Sequence, residues 1–333
     1  MRVGVMGLHY GHFGGMYSSA AQARDAELVG IVEADDGLYA KYSDGGSIPR
    51  FSTLEEMLDS AKPELVMEGL DHNEKAPFVE ACAAAGAHVL LDKPLCRTMD
   101  EWKRIDTAVQ KAGIKLSMFY TSRYHPPFVA LRNAIDAGEL GDIVSLISTH
   151  PHKLGDWAPA WYFDPQVYTG TFSDLAGHGI DQVRWLTGAE CTGVHAIGSS
   201  LRKHTGDRRF QADHVQASYQ MSNGACALLT ADWLTPEDSP SFGDTRFILM
   251  GTRGSAHLRA YAGDSLLIVS DGKGAYEPAL QPGGTGPFVQ DMIEAISRDE
   301  EHLISTSDAM GAARAGIVAE ESARQGGTYL PIG

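Results

Sequence analysis

Short apolar runs alternate with amphipathic stretches through the first third of the chain. Arg2–Gly7 and Glu27–Glu33 (ELVGIVE) read as buried strands, and Glu64–Met67, His88–Leu91 and Lys115–Tyr120 continue the series. Between them the spacing predicts a helix over Gly11–Ala23 and an alanine-rich helix over Lys75–Ala85 that Gly86 stops. Two capping boxes, Ser52-Thr-Leu-Glu55 and Thr98-Met-Asp-Glu101, each open a further helix. Parallel strands need crossover connections, so repeated βα units of this length predict a doubly wound parallel sheet with helices on both faces.

The rhythm changes near Ser122. A helix over Pro127–Ala137 ends at Gly138, followed by a strand over Asp142–His150 and an irregular Trp/His/Pro stretch from Pro151 to Tyr168. A glycine-flanked helix is expected over Phe172–Leu186. Strand-like runs follow at Gly193–Ser199, His214–Met221, Ala225–Trp233, Thr245–Met250, Ser255–Arg259 and Ser265–Val269, which read as one mostly antiparallel sheet. Helices over Phe288–Arg298 and Asp308–Gln325 come last. The pattern therefore predicts two domains, residues 1–121 and 122–333.

Composition narrows the function classes. The 333 residues fit two domains at about 100–200 residues each. A formal charge of −16 argues against nucleic acid and anionic membrane surfaces as partners. No apolar run approaches the roughly 18 residues of a membrane span, and MRVGVMGLHYG reads as strand and turn with no signal-peptide pattern. Cys82, Cys96, Cys191 and Cys226 are scattered without a CxxC pair, which predicts buried thiols in a reducing compartment and a cytoplasmic location.

The first loop, Gly4-Val-Met-Gly7-Leu-His-Tyr-Gly11-His12, joins a strand to a helix. That geometry aims backbone N–H groups at a pyrophosphate. Against the GxGxxG fingerprint the first glycine is Gly7, while His9 and His12 stand at the second and third positions and Gly11 lies between them. Glu33, ending the second strand, or Asp35 just after it, is placed to accept hydrogen bonds from the ribose hydroxyls. Ala34 stands where an Arg would favour a phosphorylated ribose, so NAD is preferred, with NADP as the alternative. On the loop alone, a tight βα turn explains these glycines as well as a cofactor does.

Two further groups of residues carry chemistry. Lys93, in Asp92-Lys93-Pro94, follows a strand directly, at the end of a parallel sheet where ligands collect. Asp174 and His178, four residues apart on the expected helix, share one face, and a neutral imidazole suits the removal of an alcohol proton. An exposed lysine and an exposed Asp–His pair are the ordinary explanations of each taken singly.

In combination these passages resemble the glucose–fructose oxidoreductase / inositol dehydrogenase (Gfo/Idh/MocA) family. The resemblance runs from Arg2–Gly7 through Ala85-Gly86-Ala87-His88-Val89, Asp92-Lys93-Pro94, Ser122-Arg123-Tyr124-His125-Pro126, Gly138-Glu-Leu-Gly141 and Trp161-Tyr-Phe-Asp164. It continues through Asp174/His178/Asp181, Asp213-His214 with Asn223-Gly224, and Gly251-Thr-Arg-Gly254-Ser255. It implies an α/β chain with an N-terminal Rossmann domain and a C-terminal α/β domain built on a large, mostly antiparallel open sheet.

It also implies an NAD(P)-dependent oxidoreductase acting on a sugar or cyclic polyol, with Lys93, Asp174 and His178 catalytic. A cation from one domain and an imidazole from the other would then act on a single carbinol. Gly7, His9, Tyr10, Gly11, His12, Glu33, Asp71, His72, Asp92, Lys93 and Arg123 are the expected cofactor contacts. Asp92 stands where the family usually has Glu, and Asp71 and Lys75 occupy the places of its Pro-x-x-x-His motif.

For the substrate, Lys93, Tyr124, His150, His152, Trp157, Trp161, Asp174 and His178 combine aromatic faces with polar groups; singly, each Trp or Tyr is more simply a core or subunit contact. His150-x-His152 lacks companions at metal-ligand spacing, so no metal is expected. The uncovered sheet face implies a homodimer or homotetramer. Two other functions stay open. One is a redox-neutral lyase or glycosidase that retains NAD, and the other is a non-catalytic NAD- or sugar-binding protein. Reduction of an imine or a tetrapyrrole has no positive feature here.

Overall fold

Six parallel strands build the first sheet: β1 (Arg2–Met6), β2 (Glu27–Val32), β3 (Arg50–Phe51), β4 (Leu65–Glu68), β5 (His88–Leu91) and β6 (Leu116–Met118), in the order β3-β2-β1-β4-β5-β6. The computed structural model describes residues 1–9, 11–200, 206 and 210–333. The crossovers contain α1 (Phe13–Gln22), α2 (Asp36–Tyr42), α3 (Leu54–Ala61), α4 (Lys75–Ala84) and α5 (Met99–Ala112). Strand β4 is buried along its whole length, as a central parallel strand covered on both faces must be. The cap of α3 is Thr53, one residue later than expected. Ser52 and Thr53 both precede a glutamate at capping distance, and it is the Thr53 hydroxyl that accepts the Glu56 N–H, at 3.1 Å.

The chain condenses into two compact units, residues 1–120 with 284–310, and residues 121–283 with 311–333. The run 284–310, assigned from pattern to the second domain, thus belongs to the first unit. Helix α9 (Phe288–Ser297) packs on α1, the Phe119 and Phe288 rings lie 4.8 Å apart, and Ser19 Oγ accepts the Val289 N–H at 3.0 Å. Periodicity predicts that a helix has an apolar face, but it does not say which sheet that face covers.

The second unit contains α6 (Pro126–Asp136), β7 (Ile143–Pro151), α7 (Thr171–Leu175), α8 (Gly177–Thr187), β8 (Cys191–Ser199), β9 (His214–Met221) and β10 (Cys226–Asp232). Strands β11 (Thr245–Gly251), β12 (Gly254–Ala260), β13 (Ser265–Ser270) and β14 (Gly274–Tyr276) follow, with α10 (Thr306–Arg324), which belongs to this unit from Gly311 on, and β15 (Leu330–Pro331) last. These nine strands are ordered β14-β13-β12-β11-β7-β10-β9-β8-β15, antiparallel except for β7 beside β10. Helices α6, α7 and α8 cover one face. Among the described residues nothing in this unit covers the other face: Ile147, Met250, Leu267 and Val269 are exposed, Ile147 pairing with Leu228 and Ile248.

Two expectations change here. The helix foreseen over Phe172–Leu186 is broken at Ala176 into α7 and α8, so Asp174 and His178 lie on different helices. Cys226 is exposed, although Cys82, Cys96 and Cys191 are buried. Among the described residues no helix is long and apolar enough to cross a membrane.

Candidate functional site

In the first unit the predicted cofactor residues gather at the carboxyl end of the parallel strands. Gly7 has φ +72°, and a Cβ there would lie 2.8 Å from the Leu70 side chain and 2.9 Å from the Gly69 carbonyl oxygen, so only glycine fits. Glu33 braces the loop, with Oε2 accepting the Leu8 N–H at 2.9 Å and Oε1 the Asp35 N–H at 2.8 Å. Each histidine in the loop is held by an acid. His9 Nε2 lies 2.8 Å from Asp71 Oδ1, and His12 Nδ1 lies 3.0 Å from Asp92 Oδ1. The hydrogen bond to Asp71 raises the His9 pKa despite partial burial. Tyr10 lies outside the described residues.

Helix α1 begins at Phe13 with no acid in its first turn, and the Asp92 carboxylate accepts the backbone N–H of its N-cap residue, His12, at 2.8 Å. A cleft of about 600 Å³ is lined by Gly7, His9, Glu33, Ala34, Arg50 and Leu70, among others. The glycine turn and the strand-end carboxylate suit a dinucleotide, the turn for close approach of the pyrophosphate and Glu33 for a ribose hydroxyl.

Beneath Lys93 lies a buried ionic cluster. The Asp92 carboxylate accepts the His12 N–H on Oδ2 at 2.8 Å and the Lys93 N–H on Oδ1 at 2.8 Å. Lys75 Nζ donates to the Asp92 carbonyl at 2.6 Å and pairs with Glu68 at 3.0 Å, both side chains being fully buried. Burial alone would raise the Asp92 pKa; the neighbouring His12, Lys75 and Lys93 outweigh it and hold the carboxyl below the usual range. Lys93 itself is buried, and so is His72. Glu68 and Lys75 were not among the predicted site residues. The available signal was a glutamate closing the otherwise apolar run Leu65-Val-Met-Glu68.

The second unit places Asp174 in a wall of aromatic side chains. Tyr168 Oη donates to Asp174 Oδ2 at 2.9 Å, and Trp233 Nε1 donates to Tyr168 Oη at 3.2 Å. Trp161 packs on Tyr162 and Tyr168, exposed Trp157 meets Tyr162, and His152 meets Trp233 and Phe242. His150 is buried on the helix-covered face, its Nε2 3.1 Å from Ser148 Oγ, and burial lowers its pKa to about 3. A Cβ on Gly179 would fall 2.1 Å from that ring, so the residue after half-buried His178 must be glycine.

Helix α7, which carries Asp174, starts on a buried carboxylate: Glu320 Oε1 accepts the N–H groups of Phe172 at 2.7 Å and Ser173 at 3.1 Å. Burial raises the Glu320 pKa. Arg123, expected at the cofactor, pairs with buried Asp181, Nε to Oδ2 at 2.9 Å and Nη2 to Oδ1 at 2.6 Å. Tyr124, in the 3-10 turn Thr121–Tyr124, is half-buried. Trp233 and Glu320 were missed because their partners Tyr168 and Phe172 are distant in sequence, while Tyr168, six residues from Asp174, ends the irregular stretch that shows no periodicity.

Two family models match the chain. One is described as an oxidoreductase family with an NAD-binding Rossmann fold and covers residues 1–120; the other is the GFO/IDH/MocA C-terminal domain and covers residues 128–257. The rhizopine catabolism protein MocA of Rhizobium meliloti is 26% identical over 313 residues, 93% of this chain and 91% of that protein. D-xylose 1-dehydrogenase (NADP(+)) 2 of Haloferax volcanii is 27% identical over 219 residues, 66% of this chain and 65% of that protein. Levoglucosan dehydrogenase in complex with NADH and levoglucosan has a TM-score of 0.86 at 23% identity, covering 100% of this chain and 99% of that chain, and so shares the fold.

Proposed function

The chain belongs to the GFO/IDH/MocA oxidoreductase family, and on that premise we propose that it transfers hydride between NAD(P) and a hydroxyl-bearing carbon of a sugar or cyclic polyol. The observation that carries this reading is the strand-end lysine. Lys93 is set by Asp92, the same carboxylate that holds His12 at the start of α1. Residues 1–120 then form the dinucleotide-binding part, and the second unit supplies the substrate groups.

The nicotinamide, when bound, takes up or returns the hydride. His178 takes the proton of the substrate hydroxyl as a neutral imidazole. The Lys93 ammonium hydrogen-bonds that oxygen and stabilises the negative charge that builds on it. Asp174, oriented by the Tyr168 hydroxyl, fixes a second hydroxyl of the substrate or orients the imidazole. Trp157 and Trp161 offer apolar faces to the C–H side of a sugar ring, while His152 adds a polar edge.

A panel of sugars and polyols read by nicotinamide absorbance tests the reaction. Lys93→Ala is expected to lower turnover by about 10²–10³-fold while NADH still quenches protein fluorescence. Turnover equal to the unmodified chain would refute the assignment of Lys93.

The exposed apolar row on the nine-stranded sheet supports self-association as a homodimer or homotetramer, because such a patch is costly to leave in water. A monomeric mass by light scattering at micromolar concentration would refute it.

A further inference from the structure

We propose that Arg50 is a 2′-phosphate anchor, through which the dinucleotide cleft accepts NADP as well as NAD; this rests on the NAD(P)-binding reading of the first unit. Ala34 directed the sequence-based preference to NAD, but strand pairing supplies the guanidinium from elsewhere. Strand β3 pairs with β2 in parallel, Ile31 with Arg50 and Val32 with Phe51, so the Arg50 side chain starts beside β2 and runs past its carboxyl end.

There it is built in. Nε donates to the Glu33 carbonyl at 2.8 Å, Nη2 to the Ala34 carbonyl at 2.8 Å, and Cζ lies 4.8 Å from the centre of the Tyr39 ring. Two main-chain acceptors and an aromatic ring therefore fix the plane of the group before any ligand arrives. Its third bond, Nη1 to Asp36 Oδ1 at 2.6 Å, goes to a side chain that is 91% exposed. An exposed partner of that kind is worth little and can be exchanged for a better anion.

Of the five guanidinium N–H bonds, three are engaged, which leaves two for a phosphate in the forked geometry that suits arginine. The arginine lines the same cleft as Glu33 and Ala34, where the adenosine ribose belongs. Glu33 alone would repel a 2′-phosphate; the adjacent cation offsets it. Both Glu33 oxygens already accept backbone N–H bonds, which further spreads the negative charge.

The full chain without cofactor can be titrated calorimetrically with 5′-AMP and with 2′,5′-ADP, which differ only in the 2′-phosphate. The unmodified chain is expected to bind 2′,5′-ADP about tenfold more tightly than 5′-AMP. Arg50→Ala should weaken 2′,5′-ADP by about 10–100-fold and 5′-AMP by less than about twofold, the size of a lost charge-assisted bond pair. Arg50→Lys should keep part of the preference, and Asp36→Asn should leave it intact or strengthen it.

Tighter binding of 5′-AMP by the unmodified chain, or equal losses for both nucleotides in Arg50→Ala and Arg50→Lys, would overturn the role of Arg50 alone. Failure of both nucleotides to bind the unmodified chain would overturn the dinucleotide reading beneath it as well.

Discussion

Glu68 in the first unit and Glu320 in the second are both buried acids beside proposed site residues, and burial pushes both pKa values up. Their surroundings differ. Glu68 faces a cation, Lys75 at 3.0 Å, besides the N–H groups of Leu70 at 2.7 Å and Asp92 at 2.9 Å. Glu320 has backbone donors, the first N–H groups of α7. The first unit thus compensates a buried charge with a second buried charge, while the second unit uses the partial positive end of a helix. A full ion pair is rigid but unforgiving of the loss of either member. A helix N-terminus tolerates a neutral acceptor in place of the acid.

The largest test removes one member of the pair. Lys75→Met should destabilise the chain by about 3–5 kcal/mol in urea titrations, because Glu68 would remain as an uncompensated buried charge. Adding Glu68→Gln should recover part of that loss, since no lone charge remains. A loss that simply adds in the double variant would contradict the pairing.

Glu320→Ala should cost about 1–3 kcal/mol by leaving two N–H groups unsatisfied, and Glu320→Gln less, because an amide oxygen still accepts. The pH dependence sharpens this further. With the folded pKa raised, the contribution of Glu320 is fully present below its ordinary value of 4.5 and declines as pH rises through the folded value. Glu320→Gln should flatten that part of the stability profile. A profile unchanged by Glu320→Gln would exclude a raised Glu320.

The smallest effect is expected at the exposed end of the same scale. His9 and Asp71 pair at 2.8 Å with side chains 41% and 25% exposed, so Asp71→Asn should cost under about 1 kcal/mol. The raised His9 pKa makes this pair's contribution complete below the ordinary value of 6.5 and lost as pH rises through the shifted one. The His9 ring resonance in NMR should titrate at lower pH in Asp71→Asn; an unmoved midpoint would disprove the coupling.

The sheet order of the first unit follows from the alternation of apolar runs and crossovers, and Gly7, Glu33 and Lys93 were legible because each closes or follows a strand. What was hidden depends on contacts across sequence. Arg50 sits on a two-residue strand too short to show periodicity, and only pairing with β2 brings it to Glu33. The pairing of Arg123 with Asp181 was hidden because Asp181 lies on α8, 58 residues away. The break at Ala176 was illegible as well: nothing in an apolar, glycine-rich stretch marks where one helix gives way to another.

The return of residues 284–310 to the first unit constrains the order of assembly on the ribosome. When residue 121 emerges, the α1 surface that α9 will cover and the ring of Phe119 still lack their neighbours. The nascent N-terminal lobe must wait through synthesis of eight strands of the second sheet, β7 to β14, before α9 arrives. A fragment ending at 121 would expose that apolar seam, making it a poor substitute for the complete polypeptide and a natural client for chaperones.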